Sequence, residues 1–293
     1  MNTIQPGILL PPPRLARYLT FSLKPDADPR GSLRALCGVA DGEQSVVGLG
    51  GSLLAAIGAV IEGLRTFPCH AGPGFDIPST PAALWLWLRG DDRGELVHRT
   101  RRIESAVSPA FHLDQVVDAF QYDASRDLTG YEDGTENPKD EKALEAAMVR
   151  RGAAGVQGSS FVAVQQWLHD LDRFEAMAPE EQDNAIGRRK RTNEEMEDAP
   201  PSAHIKRTAQ ESFQPAAFVL RRSMPWADGT RAGLMFVAFG ASLDAFEALL
   251  RRMIGAEDGI TDALFGFTRP ISGATFWCPG MRGGRLNLSA LDL

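Results

Sequence analysis

Apolar, strand-like segments alternate with helix-like segments along this chain, and one such unit recurs in its second half. Residues 47–53 (VGLGGSL) and 237–243 (VAFGASL) both run from an apolar strand through glycine, a small residue and serine into a helix. Residues 162–168 resemble residues 85–88 more loosely. Strands and helices at this spacing are typical of layered α+β or α/β proteins. The recurrence predicts a structural duplication, in which each half forms a sheet with helices on one face.

The predicted elements of the first half are strands at 16–23, 45–49 and 83–88 and helices at 32–39, 53–64 and 95–106. Ser52 is expected to cap the helix over 53–64. In the second half, one helical face collects apolar side chains: Leu243, Phe246, Leu249, Leu250, Met253 and Ile254. The stretch 123–140 is polar and turn-rich, so we expect a first half over 1–126 and a second half over 127–293.

Composition and charge exclude several classes of protein. The chain has 293 residues, 43% of them apolar, which is enough for one large domain or two modest ones. Its net charge of −7 leaves no basic field for nucleic acid. We expect no membrane-spanning segment and no secretory signal, because no apolar run has the required length. The three cysteines form neither a CxxC pair nor a disulfide framework, so a cytoplasmic setting is expected.

Glycines follow the strand over 45–49, as they do in dinucleotide-binding folds. The fingerprint of those folds needs a further glycine where this chain has Leu53, and no acidic residue follows at the required distance. We therefore expect Gly48, Gly50 and Gly51 to let a strand and a helix pack closely.

The segment Gly130–Pro138 (GYEDGTENP) presents one carboxylate, that of Asp133, on a stiff turn. Gly130 and Gly134 bracket the acid and permit backbone conformations that a Cβ would block. Asn137 precedes a proline and is pushed to extended geometry, which stops any helix. The amides of such a turn can face a bound anion. Asp-Gly and Asn-Pro also mark ordinary surface turns, and this segment taken alone favours that interpretation.

A second polar cluster ends the apolar strand over 217–220, which continues into Arg221, Arg222 and Ser223. Strand alternation places Arg221 and Ser223 on one face and Arg222 on the other. Only one arginine can therefore point into an interior site together with Ser223. We expect Arg222 to be exposed at the strand end.

Seven segments occur in the order found in bacterial dye-decolorizing (DyP-type) haem peroxidases of the B class: GYEDGTENP, GSSFVAVQQWLHDLDRF, EEQDNAIGRRKRTNEE, SAHIKR, VLRRSMPW, GLMFVAFG and DALFGFTRPISG. The chain resembles this family over nearly its whole length, most densely from 127 to 279. The resemblance implies an α+β fold of two ferredoxin-like halves, with antiparallel sheets and peripheral helices, similar to a dimeric α+β barrel. It also implies a haem b cofactor, hydrogen peroxide as oxidant, and a bulky reducing substrate such as a dye, a phenol or Mn(II).

The resemblance also implies the groups that activate peroxide. By the motif, Asp133 matches the distal aspartate, Arg221 the distal arginine and Ser223 its hydrogen-bonding neighbour. Peroxide activation needs a base that moves a proton from one oxygen to the other. It also needs a fixed positive charge where the oxygen–oxygen bond breaks. We expect Asp133 to be the proton shuttle, Arg221 the charge and Ser223 an auxiliary group.

A further set of residues is expected to contact the cofactor. His204, in SAHIKR, matches the proximal histidine and is expected to be the only protein ligand to the iron. Asp262 matches the acid that accepts a hydrogen bond from this histidine, although from sequence alone a helix cap is at least as good an interpretation. Phe236 matches a residue that lies over the haem, and Arg207 and Glu136 are expected as further contacts, together with Arg221.

The remaining histidines, two further segments and the aromatic residues are expected to have structural or surface roles. None of the five histidines has the spacing of a zinc site, and we expect His98, His112 and His169 to be solvated. The strip over 158–174 is interpreted as scaffold. The charged loop over 187–201 is interpreted as a solvated connection. The tryptophans and tyrosines are expected mostly in the core or at its edge.

Two other functions compete with a peroxidase. A non-catalytic haem carrier would use the same His204 pocket but would not need both Asp133 and Arg221. A structural partner, such as cargo for a protein shell, would carry a targeting tail, and we see no convincing tail over 285–293. Members of the family commonly form homo-oligomers, so a homo-oligomer is expected.

Overall fold

The computed structural model describes residues 3–293. The strands in this range are β1 (Leu15–Leu23), β2 (Ser45–Leu49), β3 (His70–Gly72), β4 (Phe75–Ile77), β5 (Leu84–Gly90), β6 (Phe111–Phe120), β7 (Ser160–His169), β8 (Leu220–Arg221), β9 (Met224–Asp228), β10 (Arg231–Gly240), β11 (Thr268–Pro270), β12 (Ala274–Cys278), β13 (Met281–Arg282) and β14 (Arg285–Leu286).

The α-helices in the same range are α1 (Pro6–Leu9), α2 (Arg30–Leu36), α3 (Gly51–Ala56), α4 (Arg93–Val107), α5 (Asp140–Ala147), α6 (Leu171–Ala176), α7 (Pro179–Ile186), α8 (His204–Arg207) and α9 (Asp244–Met253). Short 3-10 helices cover Gln210–Ser212, Ala263–Gly266 and Ser289–Leu291. In the described part of the chain, no helix combines the length and the apolar character needed to cross a membrane.

Eight strands close into one antiparallel, barrel-like sheet in the order β12-β2-β5-β1-β6-β9-β10-β7. The ring closes because β7 pairs with both β10 and β12. The first half contributes the order β6-β1-β5-β2 and the second contributes β12-β7-β10-β9. In each half these are the fourth, first, third and second strands of a βαββαβ unit, which is the ferredoxin-like arrangement. The expected α+β fold of two ferredoxin-like halves is confirmed.

The sequence match behind the predicted duplication nevertheless pairs strands that are not equivalent. β2 is the second strand of its half, whereas β10 is the third strand of the other half. The two segments look alike because each turns sharply from a strand toward a helix at a glycine. A Cβ at Gly50 would collide with the carbonyl oxygen of Ala82, and a Cβ at Gly240 would collide with that of Ser242.

The helix that follows β2 differs from the prediction at both ends. α3 is capped by Gly50, and the Ser52 side chain makes no capping hydrogen bond because Ser52 already lies inside the helix. The helix ends at Ala56, with Ile57 as its C-cap residue, instead of continuing to residue 64. The next residue, Gly58, has φ +70°, which interrupts the right-handed path.

Aromatic side chains fill the interior of the closed sheet. Tyr18 of β1 stacks on Trp85 and Trp87 of β5, with ring centroids 6.2 and 6.4 Å apart. Phe239 and Phe276 complete this buried cluster. Each buried aromatic side chain withdraws roughly 150–250 Å² from water. This burial favours closure of the ring, and the cluster agrees with the expectation that most tryptophans and tyrosines lie in the core.

The last segment of the chain returns to the first half. Met281, Leu286 and Leu291 belong to the same apolar cluster as Leu33 and Leu36 of α2. A division near residue 126 therefore separates the strands of the two half-sheets, but it does not separate the packing of this C-terminal segment.

Candidate active site

A deep cavity lies against the outer face of β7 and β10. It encloses about 1520 Å³ of atom-free space, open solvent at its mouth included. Alternation along β7 explains its floor, because Gln165, Trp167 and His169 line the cavity whereas Val164 and Leu168 pack toward the interior of the sheet. The other walls come from α8, α9 and the loop that precedes α5.

Asp133 and Arg221 meet at one side of this cavity. Oδ1 of Asp133 lies 3.6 Å from a guanidinium nitrogen of Arg221, and the two side chains are 24% and 21% exposed. The turn that carries the acid needs its glycines, since Gly130 and Gly134 have φ +88° and +79°. The structure therefore brings together the acid and the arginine that the sequence placed in one site.

His204, which lines the cavity, forms a second pair with Asp262 behind it. Nδ1 of His204 lies 2.8 Å from Oδ2 of Asp262, whose side chain is fully buried. The other carboxylate oxygen, Oδ1, accepts a hydrogen bond from the backbone N–H of Leu264 at 2.9 Å. Asp262 thus caps the 3-10 helix and also holds the imidazole, so both interpretations of this residue describe contacts that exist. Within the described chain, Nε2 of His204 has no hydrogen-bond partner, and His204 lines the cavity.

Phe236 and Glu136 also line the cavity. Phe236 projects from β10 and packs 6.0 Å from the ring of Phe246. Glu136 is held by Arg188, whose guanidinium donates to Oε1 at 2.6 Å. Arg188 is buried and borders the cavity, so the interpretation of its loop as a solvated connection is wrong at this residue. The carboxylate of Glu136 provides a charged hydrogen-bond acceptor for the guanidinium of Arg188 at the cavity wall.

Two residues expected at the site lie away from the main cavity. Arg207 turns its buried guanidinium to Asp258, at 2.8 Å, and to the carbonyl oxygen of Arg252, at 2.7 Å. It does not border the cavity, so the structure gives no support to Arg207 as a cofactor contact. Ser223 borders a smaller neighbouring pocket, to which Asp133 and Arg221 also contribute.

His169 contradicts the expectation of a solvated histidine. Its side chain is 5% exposed and lines the cavity. Nε2 lies 3.0 Å from Oδ1 of Asp127, and Nδ1 lies 2.6 Å from the hydroxyl of Thr268. Burial opposes ionisation of Asp127, but hydrogen bonds from His169 and from Thr129 hold its pKa below the usual value. The strip over 158–174 is thus part of the site as well as scaffold.

Arg222 also contradicts the sequence expectation, because it is buried. Its guanidinium donates to the carbonyl oxygens of Ile8 and Leu9, at 3.0 and 2.7 Å. Strand alternation was the right argument, but the face opposite Arg221 is covered by α1. Burial lowers the pKa of Arg222 to about 10.

A cofactor would have to bring its own metal to this site. In the described residues no group of three histidine, cysteine or acidic side chains is arranged to hold a metal ion. A single histidine with a carboxylate on its Nδ1 and a free Nε2 suits an iron that has four other ligands already in place.

Comparison with known proteins identifies the family to which the chain belongs. Residues 124–283 match the model of the Dyp-type peroxidase C-terminal domain. The chain is 31% identical to a dye-decolorizing peroxidase from Rhodococcus erythropolis over 251 residues, which cover 82% of this chain and 73% of the relative. It is 28% identical to a dye-decolorizing peroxidase from Mycobacterium tuberculosis, over 74% of this chain and 66% of the relative.

Solved structures agree with this assignment. A dye-decolorizing protein from V. cholerae superposes with a TM-score of 0.86 at 26% identity, over 98% of both chains. A variant of DypB from Rhodococcus jostii RHA1, solved in complex with heme, superposes with a TM-score of 0.84 at 26% identity, over 94% of this chain and 96% of that one. The chain therefore belongs to the Dyp-type, or dye-decolorizing, peroxidase family and is a peroxidase.

Proposed function

We propose that this peroxidase reduces hydrogen peroxide at a haem held by His204 and oxidises bulky donors such as dyes, phenols or Mn(II). One observation carries the proposal. A histidine fixed by a buried carboxylate and an aspartate–arginine pair border the same cavity. The family and the heme complex of the R. jostii protein support haem as the cofactor.

The cavity residues suit a haem. His204 would hold the iron through Nε2, and the hydrogen bond from Nδ1 to Asp262 fixes the tautomer and the ring plane of the imidazole. Apolar side chains supply the surface against which a macrocycle packs: Phe236, Leu249, Leu250, Met253, Leu264 and Phe267. Arg188 and Arg221, which also line the cavity, would supply positive charge for the carboxylates of the haem.

Haem, when bound, supplies the redox-active iron that takes up the oxidising equivalents of peroxide. Asp133 takes a proton from one peroxide oxygen and returns it to the departing oxygen. Arg221 stabilises the negative charge that develops as the oxygen–oxygen bond breaks. Ser223 is an auxiliary hydrogen-bond group in the adjoining pocket, where it can help order the water that leaves.

The donors are proposed on chemical grounds. Dyes and phenols need only an electron path to the cavity, which is open to solvent. A DypB variant was solved in complex with manganese, and the cavity rim here carries the carboxylates of Glu132, Glu136, Glu195 and Glu211. Carboxylate oxygens suit Mn(II). Because no three acidic or histidine groups converge in the described chain, we expect Mn(II) to bind weakly.

A haem carrier is the alternative, and the Asp133–Arg221 pair argues against it. The deciding experiment is an absorption spectrum of the purified holoprotein before and after one equivalent of peroxide. We expect the Soret band of the wild type to shift within seconds and to return when a reducing donor is added. A Soret band that stays unchanged after addition of peroxide would favour the carrier and reject the peroxidase mechanism.

A further inference from the structure

Helix α8 is tied to one stretch of the chain at two points that lie one helical turn apart. The first point is the contact of His204 with Asp262, at 2.8 Å. The second is Arg207, which follows His204 by three residues in the same short helix. Its guanidinium contacts Arg252 and Asp258, at the end of α9 and in the loop beyond it. Arg207 does not line the cavity, so its burial needs an explanation other than contact with a cofactor.

Short hydrogen bonds fix the guanidinium of Arg207 in place. Nη1 and Nη2 donate to the two carboxylate oxygens of Asp258, both at 2.8 Å. The carbonyl oxygen of Arg252 accepts from Nη2 at 2.7 Å and from Nε at 3.3 Å. The side chain of Arg207 is 5% exposed, whereas that of Asp258 is 42% exposed. A paired contact between a guanidinium and a carboxylate is directional, so it restricts where the carboxylate can lie.

The loop that Arg207 holds ends at Asp262. The backbone N–H of Asp262 donates to the carbonyl oxygen of Met253 at 2.8 Å, which closes a short loop between α9 and the following 3-10 helix. Within this loop, Oδ1 of Asp258 also accepts from the N–H of Ile260 at 3.0 Å. Arg207 therefore fastens the middle of the loop to α8, while Asp262 at its end contacts the imidazole on the same helix.

We propose that Arg207 is a positioning residue that keeps Asp262 against His204. The proposal rests on the proposed function, because it concerns the histidine that would bind the iron. Without the contacts of Arg207 the loop gains freedom, and the carboxylate of Asp262 can move away from Nδ1 of His204. A weaker bond to the carboxylate makes the imidazole a poorer electron donor. Removal of Arg207 should therefore favour ferrous over ferric iron, as removal of the charge on Asp262 should.

A purely structural role is the competing explanation. Arg207 satisfies a carbonyl oxygen in the last turn of α9, where a cation also interacts favourably with the helix end. That role predicts a lower melting temperature and an unchanged iron. The two explanations differ in whether the effect of Arg207 passes through Asp262, which a double-mutant cycle measures.

The experiment measures the Fe(III)/Fe(II) reduction potential and the iron–histidine stretching band of the ferrous protein, in holoproteins with equal haem content. Arg207→Met should raise the potential by part of the rise expected for Asp262→Asn and should shift the band to lower frequency. Arg207→Lys keeps the charge but cannot make the paired contact, so it should lie between Arg207→Met and the wild type. The matched control is Arg251→Met, which removes an exposed arginine of α9 and should change neither measurement.

Asp258→Ala weakens the same contact from its exposed side and leaves α8 intact. It should raise the potential in the same direction as Arg207→Met, and it tests the proposal even if Arg207→Met does not fold. An unchanged potential in Asp258→Ala and in every folded variant of Arg207, together with a lower melting temperature, would leave Arg207 with a structural role alone and overturn the proposal.

The double variant Arg207→Met/Asp262→Asn decides the route of the effect. If Arg207 acts through Asp262, the double variant should have the potential of Asp262→Asn, because no bond to a carboxylate is left to weaken. A rise from Arg207→Met that is equally large with and without the charge of Asp262 overturns the proposal. If His204→Ala keeps full haem and an unchanged spectrum, the proposed ligation fails, and the role of Arg207 fails with it.

Discussion

Asn137 holds the backbone of Arg221 through both ends of its amide group. Oδ1 of Asn137 accepts from the N–H of Arg221 at 2.8 Å, and Nδ2 donates to the carbonyl oxygen of Arg221 at 3.0 Å. The loop that carries Asp133 is thereby fastened to the strand that carries Arg221. We expect this link to help hold the side chains of Asp133 and Arg221 at their 3.6 Å separation.

Asn137→Ala should therefore disturb the site without removing any reacting group. It leaves the backbone N–H of Arg221 without its partner, which costs about 1–3 kcal/mol where water is excluded, whereas the carbonyl oxygen of Arg221 keeps a hydrogen bond from Arg222. A displacement on the order of 1 Å in a catalytic group can slow a reaction by about 10²-fold. We expect slower reaction with peroxide in stopped-flow measurements at unchanged haem content. Asn137→Asp, which keeps the acceptor, should lie between Asn137→Ala and the wild type.

Arg221 and Asp133 should contribute unequally to the peroxide step. Removal of one preorganised donor typically costs roughly 2.7–4 kcal/mol, or about 10²–10³ in rate. Arg221→Leu removes charge where the oxygen–oxygen bond breaks. Asp133→Asn removes a proton shuttle that water can partly replace. Stopped-flow rates should fall further for Arg221→Leu, and near-wild-type rates in both variants would contradict the mechanism.

The fold was predictable to the extent that local patterns repeat. Apolar segments located β1, β2 and β5, and a shared turn at a glycine indicated that the chain has two halves. Pairing between distant strands was not predictable, because β2 meets β12 across more than two hundred residues and no local pattern records that contact. The alignment of the two halves was wrong for the same reason. It matched the turns at Gly50 and Gly240, which follow strands that are not equivalent in the two half-sheets.

The site was predictable where a motif is continuous and less so where it depends on burial. Asp133 and Arg221 each stand in a continuous motif. Arg222 and His169 were wrongly predicted to be exposed, because residues distant in sequence bury their side chains. A signal for His169 was present, because Gln165 and His169 are polar side chains on one face of a strand whose residues 161–164 are all apolar. Polar residues on one face of an otherwise buried strand indicate a cavity.

His204→Ala should yield a protein that binds haem weakly or with a different axial ligand. His98→Ala is the matched control, because His98 is exposed on α4. The pyridine haemochrome content and the Soret position measure the outcome. If His204→Ala keeps full haem and an unchanged spectrum, the ligand is a different residue, and His169, in the same cavity, becomes the next candidate.

Asp127 should make stability depend on pH. Its pKa is lower in the folded protein than the usual 3.8, so folding favours the carboxylate. This stabilisation is complete above 3.8 and is lost as the pH falls through the lower folded value. Asp127→Asn should therefore lower the free energy of unfolding at pH 7 by about 1–3 kcal/mol. The difference from the wild type should shrink at pH 3, whereas Asp228→Asn, exposed at the end of β9, should show little difference at either pH.

Asp262→Asn separates the two roles of this carboxylate. An asparagine can still accept from the N–H of Leu264 through its side-chain oxygen, so the cap is largely kept. It removes the negative charge that lies 2.8 Å from Nδ1 of His204. A histidine bonded to a carboxylate donates more electron density to iron and favours the ferric and higher oxidation states. We therefore expect the Fe(III)/Fe(II) reduction potential of Asp262→Asn to rise, with haem content largely intact and only a small change in melting temperature. Asp262→Ala should show the same rise in potential and an additional loss of about 1 kcal/mol from the missing cap. An unchanged potential in both variants, together with a lower melting temperature, would leave Asp262 as a cap alone.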